Sequence, residues 1–202
     1  MDIRRINTYS DSRFTQKALF QHGCFLADGQ PCEVEIVSDS EAIVRGENAG
    51  AFEAVIEEFR FYAPHITKFS DETGASIREF PAAVLLELPL AQLQPSQFYV
   101  DLEKIAAIRG FIRAPRDIII QTVKLDGQYI CLDGHTRLYY AGMQGWDTVR
   151  AVEAEAGDYI SDFVQEARAR GIFSPGDMLL VCHREYEEKW YGFCDAYFGK
   201  TR

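Results

Sequence analysis

The stretch Lys124–Val152 limits most narrowly what this chain can fold into. The pair Asp126-Gly127 is typical of a tight turn, and the apolar run 129–132 that follows predicts a short buried strand. The pair Asp133-Gly134 then ends that strand. The order is therefore turn, strand and second turn, and the second turn introduces the next element.

A helix is predicted to begin directly after this second turn, over His135–Gln144. Its apolar residues recur at helical spacing, and Gly145 stands where a helix C-cap glycine is expected. Strand character returns over Thr148–Val152. The turn therefore places four residues at a helix N-terminus: Gly134, His135, Thr136 and Arg137.

A helix N-terminus attracts anions, phosphate above all, through its unpaired N–H groups and the positive end of its dipole. The planar guanidinium of Arg137 suits phosphate because it can donate two parallel hydrogen bonds. A structural interpretation is also open at this point. Asp133 would then cap the helix, His135 would be a surface residue, and Arg137 would pair with a carboxylate.

The run from Leu132 to Val149, L-D-G-H-T-R-x-x-x-A-x-x-x-G-x-x-x-V, resembles the signature of the ParB/sulfiredoxin superfamily. Upstream segments match as well, and the resemblance covers roughly residues 84–155: Leu88-Pro89-Leu90, Leu93-Gln94-Pro95, a predicted helix over 101–109 and a predicted strand over 117–123. The resemblance implies an α+β fold with a small mixed sheet. It is more specific for fold than for activity, because activity depends on the site.

Members of this superfamily differ at the turn. Sulfiredoxins carry a catalytic cysteine after the glycine, where this chain has His135, and Cys131 lies earlier, inside the predicted strand. We therefore expect no sulfiredoxin chemistry. ParB partition proteins bind CTP phosphates with a Gly-Glu-Arg-Arg box, and no glutamate follows Gly134 here.

The turn is most similar to the D-G-H-x-R form of free-serine kinases, which use ADP or ATP. That resemblance implies that Asp133 and His135 face the phosphates and a Mg²⁺ ion, with Asp133 as the metal ligand. It implies that Arg137 holds the nucleotide, and the position of the turn at the helix N-terminus makes Gly134, His135 and Thr136 candidate nucleotide contacts as well. CTP is the alternative nucleotide.

The kinases also use a glutamate base near the start of the upstream helix, whereas residues 95–99 contain no carboxylate. Asp101 or Glu103 is therefore the candidate base, and Glu103 is the candidate catalytic residue that we name with Asp133 and His135. The residues before the helix are candidate substrate contacts, or else a surface loop: Ser96, Gln97 and Tyr99.

Composition excludes some classes of function. The formal net charge of −10 over 202 residues argues against a broad DNA-binding surface, which needs clustered Lys and Arg. The five cysteines form no C-x-x-C pair, and zinc is not expected. We see no signal peptide and no apolar run of membrane length, so a cytoplasmic protein without membrane contact is predicted.

Three segments are predicted: an N-terminal strand-and-helix lobe of unknown role over 1–80, the ParB/sulfiredoxin-like core over 81–156, and C-terminal helices over 157–202. The stretch 24–46 should form two or three antiparallel strands with Glu33, Glu35 and Glu41 on a solvated face. The polar stretch 68–79 is predicted to be a linker or mobile loop. The lobe also suits a lid over the nucleotide, and the sequence does not decide.

The last element, 178–198, is predicted to be helical, in two segments joined near Cys182-His183. Its aromatic stripe suits packing onto the core or, alternatively, a homodimer contact. His183 is interpreted as a helix-start residue without a catalytic role.

These features predict a nucleotide phosphate-binding protein, with Mg²⁺-assisted phosphoryl transfer to a small molecule as its activity. The rival hypothesis is a noncatalytic, nucleotide-gated or DNA-associated ParB-like module. Whether the chain is an enzyme stays open at this point.

Overall fold

The computed structural model describes residues 1–199. The chain divides into two compact units, which meet between Val84 and Leu85, close to the boundary expected near residue 80. The predicted core and the C-terminal helices fall in the same unit. Both units combine helices with a mixed sheet, so the α+β class is confirmed.

The N-terminal unit is built on a six-stranded sheet whose strands lie in chain order. Its elements are β1 (Ile3–Arg5), α1 (Gln16–Phe20), β2 (Cys24–Ala27), β3 (Gln30–Ile36), β4 (Glu41–Gly46), α2 (Phe52–Tyr62), β5 (Lys68–Asp71) and β6 (Ser76–Glu79). Neighbouring strands are antiparallel except β4 and β5, which are parallel because α2 connects them. The apolar side of α2 is buried in this unit's core, including Val55, Ile56 and Phe59.

Two predictions for this unit are wrong. The stretch 68–79 is the β5–β6 hairpin and not a linker, because Phe69 is fully buried and Asp71 accepts N–H bonds from Thr73 and Ala75 across the turn. Glu33 is also not on a solvated face. Its carboxylate is buried because α1 packs on β3, and it accepts the N–H of Thr15 at 2.9 Å.

The C-terminal unit is built on a five-stranded mixed sheet with the order β7-β12-β10-β11-β8. The strands of this sheet are β7 (Leu85–Pro89), β8 (Leu93–Pro95), β10 (Ile119–Leu125), β11 (Gln128–Asp133) and β12 (Thr148–Glu153). A separate two-stranded pair consists of β9 (Tyr99–Asp101) and β13 (Leu179–Val181). The helices of the unit are α3 (Leu102–Ile108), α4 (His135–Met143), α5 (Ile160–Ala169), α6 (His183–Tyr186) and α7 (Gly192–Tyr197).

The predicted order of strand, turn, helix and strand is confirmed. β10 and β11 form an antiparallel hairpin closed by Asp126-Gly127, both in the left-handed region with φ of 49° and 82°. α4 follows β11 and leads to β12, which pairs in parallel with β10. Pro89 ends the edge strand β7, where its missing N–H costs no ladder bond.

One part of the C-terminal prediction is wrong, because residues Leu179–Val181 form a strand and not a helix. This strand, β13, pairs in parallel with β9, and Val181 lies opposite Asp101. A helical run follows, in which α6 and α7 are joined by a π-helical turn at Glu187–Tyr191.

The aromatic residues of this last run pack within the unit. The rings of Trp190 and Phe193 lie 5.0 and 4.9 Å from that of Phe98, in edge-to-face contact. Packing onto the core is therefore observed, and the homodimer contact stays a prediction. No helix among residues 1–199 is both long enough and apolar enough to cross a bilayer.

Candidate functional site

The turn between β11 and α4 depends on a glycine. Gly134 has φ 94° and ψ 19°, in the left-handed region that side chains disfavour. A Cβ at this position would lie 2.7 Å from Cγ2 of Ile120 on β10. The turn is therefore held tightly against the sheet, and only glycine fits without displacement.

No side chain among residues 1–199 caps the N-terminus of α4. Its first intrahelical hydrogen bond runs from the N–H of Leu138 to the carbonyl of Gly134, at 2.8 Å. The N–H groups of residues 135–137 precede that bond and lack an intrahelical acceptor. Asp133 does not cap the helix, contrary to the structural interpretation of the sequence.

Arg137 lies across the turn with its guanidinium directed inward. Its Nη1 donates to the carbonyl of Ile119 at 2.7 Å, and its Nη2 donates to Oδ2 of Asp133 at 2.9 Å. The Arg137 side chain is 29% exposed and that of Asp133 is 51% exposed. A guanidinium has five N–H donors, so this pairing leaves further donors at the rim of the turn.

The structure places His135 inside the unit and not on the solvent side of the turn. Its Nε2 accepts the N–H of Ser96 at 3.2 Å, while the Ser96 hydroxyl donates to the carbonyl of Cys131 at 2.7 Å. Burial lowers the pKa of His135 to about 4, so the imidazole is neutral at pH 7. The side chain joins the start of α4 to the segment after β8.

The candidate substrate contacts are also mostly internal. Ser96 and Gln97 are buried, and the Gln97 amide donates to the carbonyl of Tyr99. The Tyr99 hydroxyl, which is partly buried, accepts from Nη1 of Arg170 at 3.3 Å. These residues follow β8, which pairs with β11 so that Pro95 lies opposite Cys131. The segment therefore closes over the end of β11, beside the turn.

The candidate bases at the start of α3 differ in their surroundings. Asp101 is 1% exposed and caps α3, because its Oδ1 accepts the N–H of Glu103 at 2.8 Å. The Glu103 side chain is exposed. The second oxygen of Asp101, Oδ2, lies 2.7 Å from Nδ1 of His183. A buried carboxylate and an imidazole thus form a pair 82 residues apart in the chain.

His183 was not predicted as a functional residue. Its side chain is 45% exposed, and its Nε2 lies 3.7 Å from Oε1 of Glu187. The hydrogen bond to Asp101, with the charges of Asp101, Glu187 and Glu103, raises the pKa of His183. No local sequence pattern indicates this pair, because a short parallel β9–β13 ladder brings its members together.

The turn and this pair belong to one structural neighbourhood, since α4 contacts both α3 and β9. Ser96, which touches His135, precedes Asp101 by five residues. Even a fully extended chain of that length spans at most roughly 18 Å. The Asp101 backbone therefore lies no farther than that from the Ser96 backbone.

The residues present suit Mg²⁺ only where phosphate oxygens supply part of its coordination shell. Among residues 1–199, no group of three or more His, Cys, Asp or Glu side chains is arranged to hold a metal ion. Asp133 is a single exposed carboxylate at the turn. Mg²⁺ often binds through one or two carboxylates, with phosphate oxygens and water supplying the other ligands.

No protein-family model matches the sequence, and no curated protein does. A solved structure that resembles this chain is protein Atu1540 from Agrobacterium tumefaciens, at 15% sequence identity and a TM-score of 0.38. The match covers 59% of this chain and 71% of that chain. At these values the likeness carries no argument about function.

Proposed function

We propose that this chain binds the phosphate groups of a nucleotide at the N-terminus of α4 and transfers a phosphoryl group to a small hydroxyl compound. The observation that carries the proposal is the uncapped start of α4, with an arginine on its first turn. Helix N–H groups without acceptors and a guanidinium together favour an anion of high charge.

Each residue of the turn has a part in this proposal. The N–H groups of residues 135–137 would donate to phosphate oxygens, with the Thr136 hydroxyl beside them. Arg137 would turn part of its donor set from Asp133 to the phosphate. His135 serves as a positioning residue, because its buried imidazole accepts the N–H of Ser96 and so joins the start of α4 to the segment after β8.

Mg²⁺ would be held by Asp133 and by the phosphates themselves, and it would neutralise charge on the transferred group. The ParB/sulfiredoxin-like arrangement of strand, turn and helix supports a nucleotide as the ligand by resemblance. ADP and ATP are preferred to CTP because the D-G-H-x-R turn resembles that of the free-serine kinases.

Isothermal calorimetry with ADP, ATP and CTP, each with and without Mg²⁺, tests binding. Arg137→Ala should weaken binding by about ten- to a hundred-fold, since hydrogen bonds to charged groups contribute about 1.5–3 kcal/mol. Arg137→Lys should also weaken it, because lysine keeps the charge and loses the fork.

Arg109→Ala is the matched control, since it removes the same charge from an exposed position of the same unit. Binding by Arg137→Ala as tight as that by wild type and by Arg109→Ala would disprove the proposed phosphate site. Transfer of label from the terminal phosphate to L-serine then tests the phosphotransferase part.

A second candidate is a noncatalytic, nucleotide-gated module. The inward bonds of His135 and Arg137 favour it, because neither side chain presents a proton-transfer group at the turn. In such a module, phosphate would compete with Asp133 for Arg137 and so alter the turn. Nucleotide binding with no label transfer and no nucleotide hydrolysis would select this candidate.

A further inference from the structure

The Asp101–His183 pair has the arrangement of a general base with a fixed tautomer. The Oδ2 of Asp101 lies 2.7 Å from Nδ1 of His183. Nδ1 therefore carries the ring proton and donates a hydrogen bond to the carboxylate. The lone pair is then left on Nε2. The His183 side chain is 45% exposed, whereas that of Asp101 is 1% exposed, so the pair is buried at its acid end and open at its imidazole end.

The orienting carboxylate is itself fixed. Its other oxygen, Oδ1, accepts the N–H of Glu103 and caps α3. His183 is fixed from a second direction because it begins α6 immediately after β13, which pairs with β9. The β9–α3 junction therefore fixes the buried acceptor Asp101, and the β13–α6 junction fixes the accessible imidazole of His183.

Glu103 is the only carboxylate of the α3 first turn besides the capping Asp101. Glu103 is exposed, and no hydrogen bond described for residues 1–199 orients its carboxylate as Asp101 orients His183. Among these groups, the imidazole best combines access with a fixed direction.

We infer that His183, oriented by Asp101, is the group that accepts the proton from the substrate hydroxyl in the phosphoryl transfer. This inference rests on the proposed function. The hydroxyl proton passes to Nε2 of His183, and the hydroxyl oxygen forms a bond to the terminal phosphorus. The bond between that phosphorus and the bridging oxygen breaks, and its electron pair leaves with the shortened nucleotide.

The charges around His183 set the pH at which it can act. Asp101 on β9, Glu103 on α3 and Glu187 on its own helical run all favour the protonated imidazole. A base must be unprotonated, so the transfer rate should fall as pH drops below the raised pKa of His183. Loss of the Asp101 charge should move this decline to lower pH.

Two substitutions separate a chemical role from a structural one. In His183→Asn, the side-chain amide can replace Nδ1 as the donor to Asp101, while the base is removed. In Asp101→Asn, Oδ1 still caps α3, but the amide favours the tautomer with its proton on Nε2. Arg184→Gln is the matched control, because Arg184 is the next residue and its side chain is 84% exposed.

The experiment uses the full chain, Mg²⁺, labelled ATP or ADP, and L-serine, with hydrolysis to inorganic phosphate followed in the same reactions. Nucleotide affinity is first measured by calorimetry for every variant. We expect His183→Asn and Asp101→Asn to bind nucleotide like wild type and to lose about 10²–10⁴-fold in transfer rate. Arg184→Gln should retain both properties, and the residual rate of Asp101→Asn should decline at lower pH than that of wild type.

Nucleotide binding with an unchanged transfer rate in His183→Asn would overturn the inference and leave the proposed function intact. Binding by wild type with neither transfer nor hydrolysis would overturn the inference and the phosphotransferase activity, and would leave the binding site. No nucleotide binding by wild type would overturn the proposed function and the inference with it. Thermal melting of each variant shows whether the fold is retained.

Discussion

The two histidines of the C-terminal unit occupy opposite environments. His135, within the sequence motif, is buried and neutral and bonds to a backbone N–H. His183, outside any motif, is half exposed and bonds to a buried carboxylate. The comparison teaches that a motif can mark the geometry of a turn, while an imidazole that is both accessible and oriented lies elsewhere in the chain.

The backbone turn at Gly134 and the surroundings of His183 also differ in how accessible they are. The turn at Gly134 packs against Ile120, and Arg137 makes inward hydrogen bonds while its remaining donors lie at the rim. The region of His183 is open on its Nε2 side, with Glu187 3.7 Å away. Three predictions test how closed the motif turn is.

The largest effect is expected from Gly134→Ala. A left-handed alanine costs about 1–2 kcal/mol, and the approach of its Cβ to Ile120 adds about 1–3 kcal/mol of overpacking. We therefore expect the free energy of unfolding to fall by about 2–5 kcal/mol, as measured by urea denaturation.

Gly127→Ala is the control for this experiment. Gly127 has a similar φ of 82°, but a Cβ there meets no atom within 4 Å. It should cost only the backbone share, about 1–2 kcal/mol. Equal losses in the two variants would show that the motif turn is not tightly packed, and the contrast with His183 would weaken.

The burial of His135 predicts a pH-dependent stability. Its pKa is lowered from 6.5 to about 4 in the folded protein. Between these two pH values the unfolded chain binds a proton at this residue and the folded chain does not. The free energy of unfolding is therefore unaffected by the titration of this residue above pH 6.5. It falls as the pH drops towards 4, by about 3 kcal/mol in all. Denaturant titrations between pH 4 and 7.5 measure it.

His135→Gln should remove that slope, since its amide oxygen can accept the Ser96 N–H and does not titrate. His183→Asn provides a contrast of opposite sign. The raised pKa of His183 gives a contribution that is complete below pH 6.5 and is lost as pH rises through the folded value. Parallel pH curves for wild type and His135→Gln would contradict the burial of His135.

The smallest effect is expected from Asp133→Asn. Asp133 and Arg137 form a partly exposed ion pair, which contributes at most about 1 kcal/mol. If phosphate competes for Arg137, releasing the guanidinium should strengthen binding of Mg²⁺-free ATP by about two- to five-fold. With Mg²⁺ present the same variant should bind more weakly, because a metal ligand is lost.

Calorimetry of Asp133→Asn with and without Mg²⁺ shows both signs. Asp126→Asn is the control, since Asp126 is an exposed carboxylate in the neighbouring turn whose positive φ asparagine tolerates. An Asp133→Asn protein that binds both forms like wild type would remove Asp133 from the proposed site.

The local elements of the motif were predictable because their signals are local. Asp126-Gly127 and Gly134 adopt left-handed backbone conformations at the turns where the sequence predicts them, and Gly145 does so at the end of α4. The mixed sheet was an implication of the family resemblance and not of these local signals. Arg137 paired with a carboxylate was one of the two alternatives that the sequence left open.

The contacts that decide accessibility were not predictable in this way. His135 is buried and accepts the N–H of Ser96, which lies 39 residues earlier, whereas the sequence also allows a surface position for it. The three residues of β13 form a strand only because β9 pairs with them, and alone they suit a helix as well. The Asp101–His183 pair depends on that ladder, so local patterns carried no sign of it.

The π-helical turn at Glu187–Tyr191 sets the angular phase of the chain's last helical run. Upstream of this turn, His183 is hydrogen-bonded to Asp101, and downstream the ring of Phe193 packs edge-to-face on that of Phe98. These two contacts attach the helical run to the rest of the unit. Removing a single residue from this turn would rotate everything after it by about 100° relative to everything before it. A one-residue deletion there would thus force the helix to give up one of its two attachments, whichever residue was removed.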